Sequence, residues 1–296
     1  MNVRLRIIIG IVTISLAPHG LGAETLRIGS THNQPVDEIR RFLPLASYLE
    51  KRLKADGITQ VQVVVSGTLR EAAKHLREGT LDLYIDSPFP SLALSQLSGS
   101  KFLARRWKKG VAEYHTVIFA RKDGGVSRLD DLKQKILGFE TNYSSSGYFF
   151  PKMVLLQQGF KLVPLANPAD PVERGKIGYV FTGDDENTLL WVVRGKVSVG
   201  ALDDQAYLRD GRDELDKLQV VYRSFSIPRQ IVSHRASLAP RLVARIKETL
   251  VKMDQSQEGN GALRGFEKTT KFDEIPAAAM TPLREGWKFI EAEALK

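Results

Sequence analysis

Residues 25–85 read TLRIGSTHNQPVDEIRRFLPLASYLEKRLKADGITQVQVVVSGTLREAAKHLREGTLDLYI. Thr25–Ile28, Val61–Val65 and Leu81–Ile85 are short β-rich runs. The intervals between them carry a period near 3.6, the spacing of one helix face. Ile39, Phe42, Leu43, Ala46, Leu49 and Leu53 fall on one stripe, while Asp37, Arg40, Glu50 and Lys54 take the opposite side. Leu69, Ala72, Ala73 and Leu76 form a second, shorter amphipathic helix that stops at Gly79. Consecutive parallel strands need helical crossovers of about this length, so the unit predicts a doubly wound α/β sheet.

Working outward, Phe102–Trp107 and Tyr114–Ala120 are extended runs separated by a polar turn around Lys109 and Gly110, a passage between two lobes. A second alternating unit follows. It holds a helical turn at Leu129–Leu132, a strand at Ile136–Phe139 and a helix from Ser145 to Gln158 stopped by Gly159. A strand at Ile177–Phe181, a helix carrying Leu189, Leu190 and Val193, and a strand at Val197–Leu202 complete it. Val220–Phe225 and Gln230–His234 carry the chain back, and helices Leu238–Met253 and Leu283–Leu295 are expected to pack on the first lobe. The expected organisation is lobe one from 24–113 and 226–296, lobe two from 114–225, with two doubly wound sheets joined by two hinge strands. Such a body places its ligand in the crevice between lobes, at strand C-termini and helix N-termini.

The chain has 296 residues, 43% hydrophobic and 26% charged, an ordinary globular composition that excludes collagen, coiled coil and disorder. It contains no Cys, which removes disulfides, thiolate nucleophiles and Cys-based metal sites. Arg4 and Arg6 precede an apolar run from Ile7 to Leu16, followed by Pro18 and small residues to Ala23. This pattern predicts an export signal over residues 1–23, cleaved near Ala23. Its apolar run is too short to span a bilayer. Cleavage removes two positive charges from the total of +9 and leaves +7, a balance that favours anionic small molecules or an acidic surface. The densest basic cluster, Lys101, Arg105, Arg106, Lys108 and Lys109, has little aromatic interleaving and reads as a solvated face rather than a nucleic-acid site.

Enzyme motifs are missing. No H-E-x-x-H or G-x-S-x-G occurs, and Gly195-Lys196 is followed by Val197, which breaks a phosphate-binding loop. His32, His75, His115 and His234 show no metal-ligand spacing, so neither metal nor cofactor is expected. His32, after the first strand, and His115, at the inter-lobe strand, are candidates to face the cleft. The most informative segment is Phe139-Glu-Thr-Asn-Tyr-Ser-Ser-Ser-Gly-Tyr-Phe-Phe-Pro151. Here a strand ends and a helix begins at Ser144, Ser145 and Ser146. A helix start leaves amides unpaired and partly positive, and the hydroxyls add donors in the same place. One cap needs one serine; three favour an oxyanion. Tyr143, just before them, is placed to close over the ligand.

This serine segment is similar to the S-T-S-G-Y-x-x-P motif of the phosphate, phosphite and phosphonate substrate-binding proteins of bacterial ABC transporters. Tyr114 with Val117–Ala120 and then Asp130-Asp131-Leu132, and the stretch Asn187–Val197, resemble further elements of that family. The resemblance spans Leu26 to Ile275. It implies a type II periplasmic-binding-protein fold and a non-catalytic receptor in the periplasm, which delivers a small oxyanion to an ABC permease; a monomer is expected. It also implies that Ser144, Ser145 and Ser146 hold the anionic oxygens. The family's aromatic contact falls at Asp86 here, Ser87 stands where a close backbone approach to the ligand is expected, and the family's phosphonate-binding histidine falls at Asp184 or Asp185. These departures put carboxylates into the pocket, with Asp203 a further candidate at the cleft edge. A carboxylate there reads a P–OH proton or pairs with a ligand ammonium group. The alternatives are a binding protein that signals to a membrane sensor, and a secreted hydrolase using one of the serines, for which the sequence supplies no base.

Overall fold

The structure, a computed structural model, describes residues 24–291. The expected export signal at residues 1–23 and the last residues of the helix expected to reach Leu295 lie outside them. The strands are β1 (Glu24–Thr31), β2 (Ile58–Ser66), β3 (Leu83–Asp86), β4 (Lys101–Arg106), β5 (Glu113–Tyr114), β6 (Thr116–Arg121), β7 (Ile136–Phe139), β8 (Lys161–Pro164), β9 (Lys176–Phe181), β10 (Val199–Asp203), β11 (Leu218–Arg223), β12 (Ile227–Pro228), β13 (Gln230–His234) and β14 (Phe272–Asp273). The α-helices are α1 (Pro35–Arg52), α2 (Leu69–Glu78), α3 (Pro88–Ser98), α4 (Phe150–Gln157), α5 (Asp185–Val193), α6 (Asp204–Asp210), α7 (Pro240–Val251), α8 (Gln257–Gly265) and α9 (Thr281–Gly286).

One six-stranded sheet runs β14-β4-β13-β3-β1-β2 and the other β11-β6-β10-β7-β9-β8. In each, parallel strands from βα units meet antiparallel strands that return from elsewhere in the chain: β13 beside β3 and β4, and β6 beside β10 and β11. The chain crosses between the sheets twice, and the crossings pair as the antiparallel ladder β5–β12, with Tyr114 opposite Ile227. The mixed sheets and this short ladder form a two-lobed α/β architecture.

α1, α7 and α8 cover one face of the first sheet through Phe42, Leu45, Leu49, Ile246, Leu250 and Leu263, and α2 and α3 cover the other with Ala72, Leu76 and Leu94. α5 and α6 cover the second sheet with Leu189, Val192, Ala206 and Tyr207. The largest core joins the lobes: Phe89 of α3 stacks on Phe149 at 3.8 Å and on Trp287 at 5.6 Å. The C-terminal segment therefore does not pack on the first lobe alone. Met280, Leu283, Trp287 and Ile290 share one core with Phe89 and Leu92 of α3 and with Phe150 and Met153 of α4. A Cβ on Gly286 would lie 1.8 Å from the Met153 sulfur, so a larger residue there would have to displace the Met153 side chain from this contact with α4.

Candidate functional site

The segment after β7 builds one wall of the inter-lobe cavity. Ser144 is the cap, its Oγ accepting the Gly147 N–H at 2.9 Å. The helix expected from Ser145 instead opens with a π-turn over Ser145–Phe149, and α-geometry begins only at Phe150. The Phe149 N–H reaches back to the Ser144 carbonyl at 3.0 Å, and this wider turn is a form common at functional sites. Gly147 permits a close approach here: a Cβ would lie 2.5 Å from the Glu140 Cβ and 2.7 Å from its Oε2.

The three serines divide their work. Ser145 is buried, 1% exposed. Its Oγ accepts the Phe89 N–H at 2.9 Å and donates to the Ser87 Oγ at 2.8 Å. Ser87 is the N-cap of α3 yet makes no side-chain cap bond of its own. The second lobe thus caps a first-lobe helix, and two helix starts meet across the cleft. Ser146 is buried, and its carbonyl accepts from Thr116 Oγ1 at 3.2 Å. The Tyr114 hydroxyl, on the connecting ladder, is hydrogen-bonded to the Ser146 and Ser145 side chains, and burial pushes its pKa up. Ser87, Ser145, Ser146 and Tyr114 therefore form one hydroxyl cluster drawn from both lobes and the crossing between them.

Around it lies a cavity of about 810 Å³ lined by charge of both signs. Asp86 accepts from the Tyr84 hydroxyl at 2.7 Å and the Ser87 N–H at 2.6 Å. Burial pushes its carboxyl up to about 6 against those two bonds. Asp185 is also pushed up to about 6, by burial first and then by Asp203; Arg209 stands 3.8 Å away. Asp203 caps α6 through the Ala206 N–H at 2.8 Å and faces Arg229 at 3.5 Å. The Arg229 guanidinium lies 4.6 Å from the centre of the Tyr114 ring. Asp184 caps α5 through the Asn187 N–H. The Tyr143 hydroxyl is hydrogen-bonded to the Asn33 backbone in the opposite lobe, and burial pushes its pKa up. His32 lines the cavity, with Nδ1 accepting the Gln34 N–H at 3.0 Å. His115 is not among the lining residues, because its Nδ1 is turned to the Ser224 carbonyl at 2.7 Å.

The basic cluster of β4 is not the solvated face expected of it. Arg105 and Arg106 are buried, since β4 lies inside the sheet between β13 and β14 and partners from distant sequence enclose both side chains. Arg105 grips Asp273 with two bonds, at 2.9 and 2.8 Å, and Glu113 at 2.8 Å. Arg106 donates to Thr269 Oγ1, Gln230 Oε1, the Phe266 carbonyl and Glu267 Oε2. Lys108 and Lys109 line the cavity, and Lys108 Nζ is 2.8 Å from Glu267 Oε1. Burial alone would push the Glu267 carboxyl up, but Lys108 and Arg106 hold it well below its usual range. Lys109, Glu267 and Lys268 all adopt positive φ, at 56°, 49° and 54°. Non-glycine residues pay for that conformation, and such strain concentrates at ligand clamps.

Sequence reasoning passed over Glu140, Tyr114, Arg229, Lys109, Arg41 and Lys268 as lining residues. Glu140 carries the one local signal, its place between a strand end and the serines. Tyr114, Lys109 and Arg229 are brought in at the crossing strands, Lys268 by the loop that Arg106 anchors, and Arg41 by the first turns of α1.

A family model described as the phosphonate periplasmic substrate-binding protein of ABC transporters matches residues 28–279. Among solved structures, XAC2383 from Xanthomonas citri bound to ATP is 24% identical with a TM-score of 0.84, covering 90% of this chain and 97% of that one. PhnD1 from Prochlorococcus marinus in complex with methylphosphonate is 18% identical with a TM-score of 0.68, covering 91% and 99%. The aliphatic sulphonate binding protein SsuA from Escherichia coli is 16% identical with a TM-score of 0.57, covering 92% and 88%. Type II periplasmic binding proteins thus share this two-lobed fold.

Proposed function

Because the chain belongs to the family of periplasmic phosphonate substrate-binding proteins of ABC transporters, we propose that its cavity captures a phosphorus oxyanion, namely phosphate, phosphite or a phosphonate. The family is one of transport receptors, not enzymes, and its members work with a small ligand and an ABC permease. The contact of Ser145 with both Ser87 and the start of α3 carries this reading, because it brings two helix N-termini and their hydroxyls to one point between the lobes. The Phe89 N–H donates to Ser145, Ser145 donates to Ser87, and the Ser87 hydroxyl hydrogen passes on to the anion. Such a chain strengthens each bond in it. Ser146 and Tyr114 supply the next donors, while Ser144 shapes the turn.

Lys109, Lys268, Arg41, Arg209 and Arg229 at the cavity wall draw an anion in. Asp86 and Asp185 accept a P–OH proton or an ammonium group on the ligand, which sulfate lacks. Residues 1–23 serve as the export signal, and the receptor is a monomer of two lobes, 24–113 with 226–296 and 114–225, that closes on its ligand with Tyr143 and His32 at the mouth.

The test is the thermal midpoint of the exported chain with phosphate, phosphite, methylphosphonate, 2-aminoethylphosphonate, sulfate and ATP. ATP enters the panel through XAC2383. A ligand at 100 times its Kd adds about 2.7 kcal/mol of stability. A phosphorus oxyanion is expected to raise the midpoint and sulfate to leave it in place. No shift with any of them contradicts the reading.

A further inference from the structure

Glu140 occupies the place at which the serine turn would receive an anion. Its Cβ and Oε2 crowd the face of Gly147, within 2.5 and 2.7 Å of where a Cβ would stand. The Ser144 hydroxyl is hydrogen-bonded to its carboxyl. The Ser144 oxygen accepts the Gly147 N–H, and its hydroxyl hydrogen is available to be given to Glu140. Among the described residues no cation lies within ion-pair distance of this carboxyl. The groups that face it are Asp185 at the start of α5, Asp203 at the end of β10, Lys108 from the opposite lobe, and Tyr143 on its own loop. Two of these are acids, facing Arg209 at 3.8 Å and Arg229 at 3.5 Å respectively, and Lys108 is bonded to Glu267.

A carboxylate in this position would repel the anion that the turn is built to receive. A carboxylic acid accepts the Ser144 hydrogen on one oxygen and has an O–H left to donate. Resting on the reading of the cavity as an oxyanion site, we infer that Glu140 is a specificity-determining residue that meets the ligand as a neutral acid and donates a hydrogen bond to one of its oxygens. Burial, and after it Asp185, push the Glu140 carboxyl up to about 8, so at neutral pH the proton is in place. The proton stays on the Glu140–ligand pair throughout binding. Above about pH 8 an ionised Glu140 must take up one proton from solvent for each ligand bound, and affinity falls accordingly.

The experiment is calorimetric titration of methylphosphonate into the exported chain and its Glu140→Gln variant at pH 7 and pH 9.5. The ligand's own ionisation is common to both proteins, so the ratio of their affinities isolates Glu140. We expect the affinity of the native chain relative to the variant to fall at least tenfold between the two pH values. Parallel profiles would overturn the inference while leaving the oxyanion site standing. Absence of binding to the native chain at either pH would overturn the oxyanion reading and this inference with it. If the variant does not fold, the ¹³C resonance of the Glu140 carboxyl in the native chain at pH 9 decides. Return to the protonated position on adding methylphosphonate supports the inference, and an unmoved carboxylate resonance overturns it.

Discussion

Replacing Arg106 with Ala is expected to lower the stability of the chain by about 3–5 kcal/mol, the cost of removing one partner from a buried, hydrogen-bonded ion pair. The guanidinium is 1% exposed and donates to Thr269, Gln230, the Phe266 carbonyl and Glu267. It also lies 3.5 Å from the centre of the Phe266 ring, so the truncation removes packing together with charge. What remains is a half-neutralised Glu267 beside Lys108 and Arg41 and a buried carbonyl with one donor fewer. The consequence reaches the site, because Arg106 ties strand β4 to the strained segment that presents Glu267 and Lys268 to the cavity. Urea unfolding followed by circular dichroism measures the loss. A change under about 1 kcal/mol would mean that the loop holds without its anchor.

The second large effect is a stability that falls as pH rises. Asp86 and Asp185 are pushed up to about 6, and Glu140 to about 8, each chiefly by burial. The folded chain therefore holds more protons than the unfolded one between about pH 4 and pH 8, and in that window stability decreases with pH. The contribution of the two aspartates is complete below about pH 4 and gone above about pH 6, and that of Glu140 is gone above about pH 8. Acids held low by their partners, Glu267 and Asp273, act in the opposite sense and lose their contribution only in stronger acid. The ligand-free chain is thus expected to be most stable near pH 4–5. Glu140→Gln is expected to stabilise it at pH 8.5 by on the order of 3 kcal/mol and to give no gain at pH 4.5. Thermal unfolding of both proteins across that range checks the sign. A native chain that gains stability from pH 5 to pH 8 would show that these carboxyls are ionised in the fold.

The first βαβαβ unit was legible because its strands are β-branched and its helices amphipathic. α3 was not, and the reason is physical: PFPSLALSQLS carries no charge, begins with two prolines two residues apart, and buries its first seven residues, Ser91 included, between the lobes. A helix whose polar positions are uncharged serines, one of them buried, gives little 3.6-residue contrast to read. α6 has two turns, and α8 carries three glycines, so neither offered a strong pattern. The serine turn was visible as a helix start, but not that Ser145 would cap a helix of the other lobe, since Phe89 stands 56 residues away. Arg105 and Arg106 misled for a related reason. Neighbours on a strand point to opposite faces, and here both faces are closed by partners some 160 residues further on. Local pattern gives elements and their ends; charge partners recruited across the fold are set by topology.

The most direct test of the receptor account is the affinity of methylphosphonate for the Ser145→Ala/Ser146→Ala double variant, with the thermal midpoint of the ligand-free variant as the control for folding. If the hydroxyl cluster grips the anion, affinity falls at least about tenfold, equivalent to about 1.4 kcal/mol, while the variant remains folded. Unchanged affinity in a folded variant would contradict the account and reduce the two serines to a clasp between the lobes.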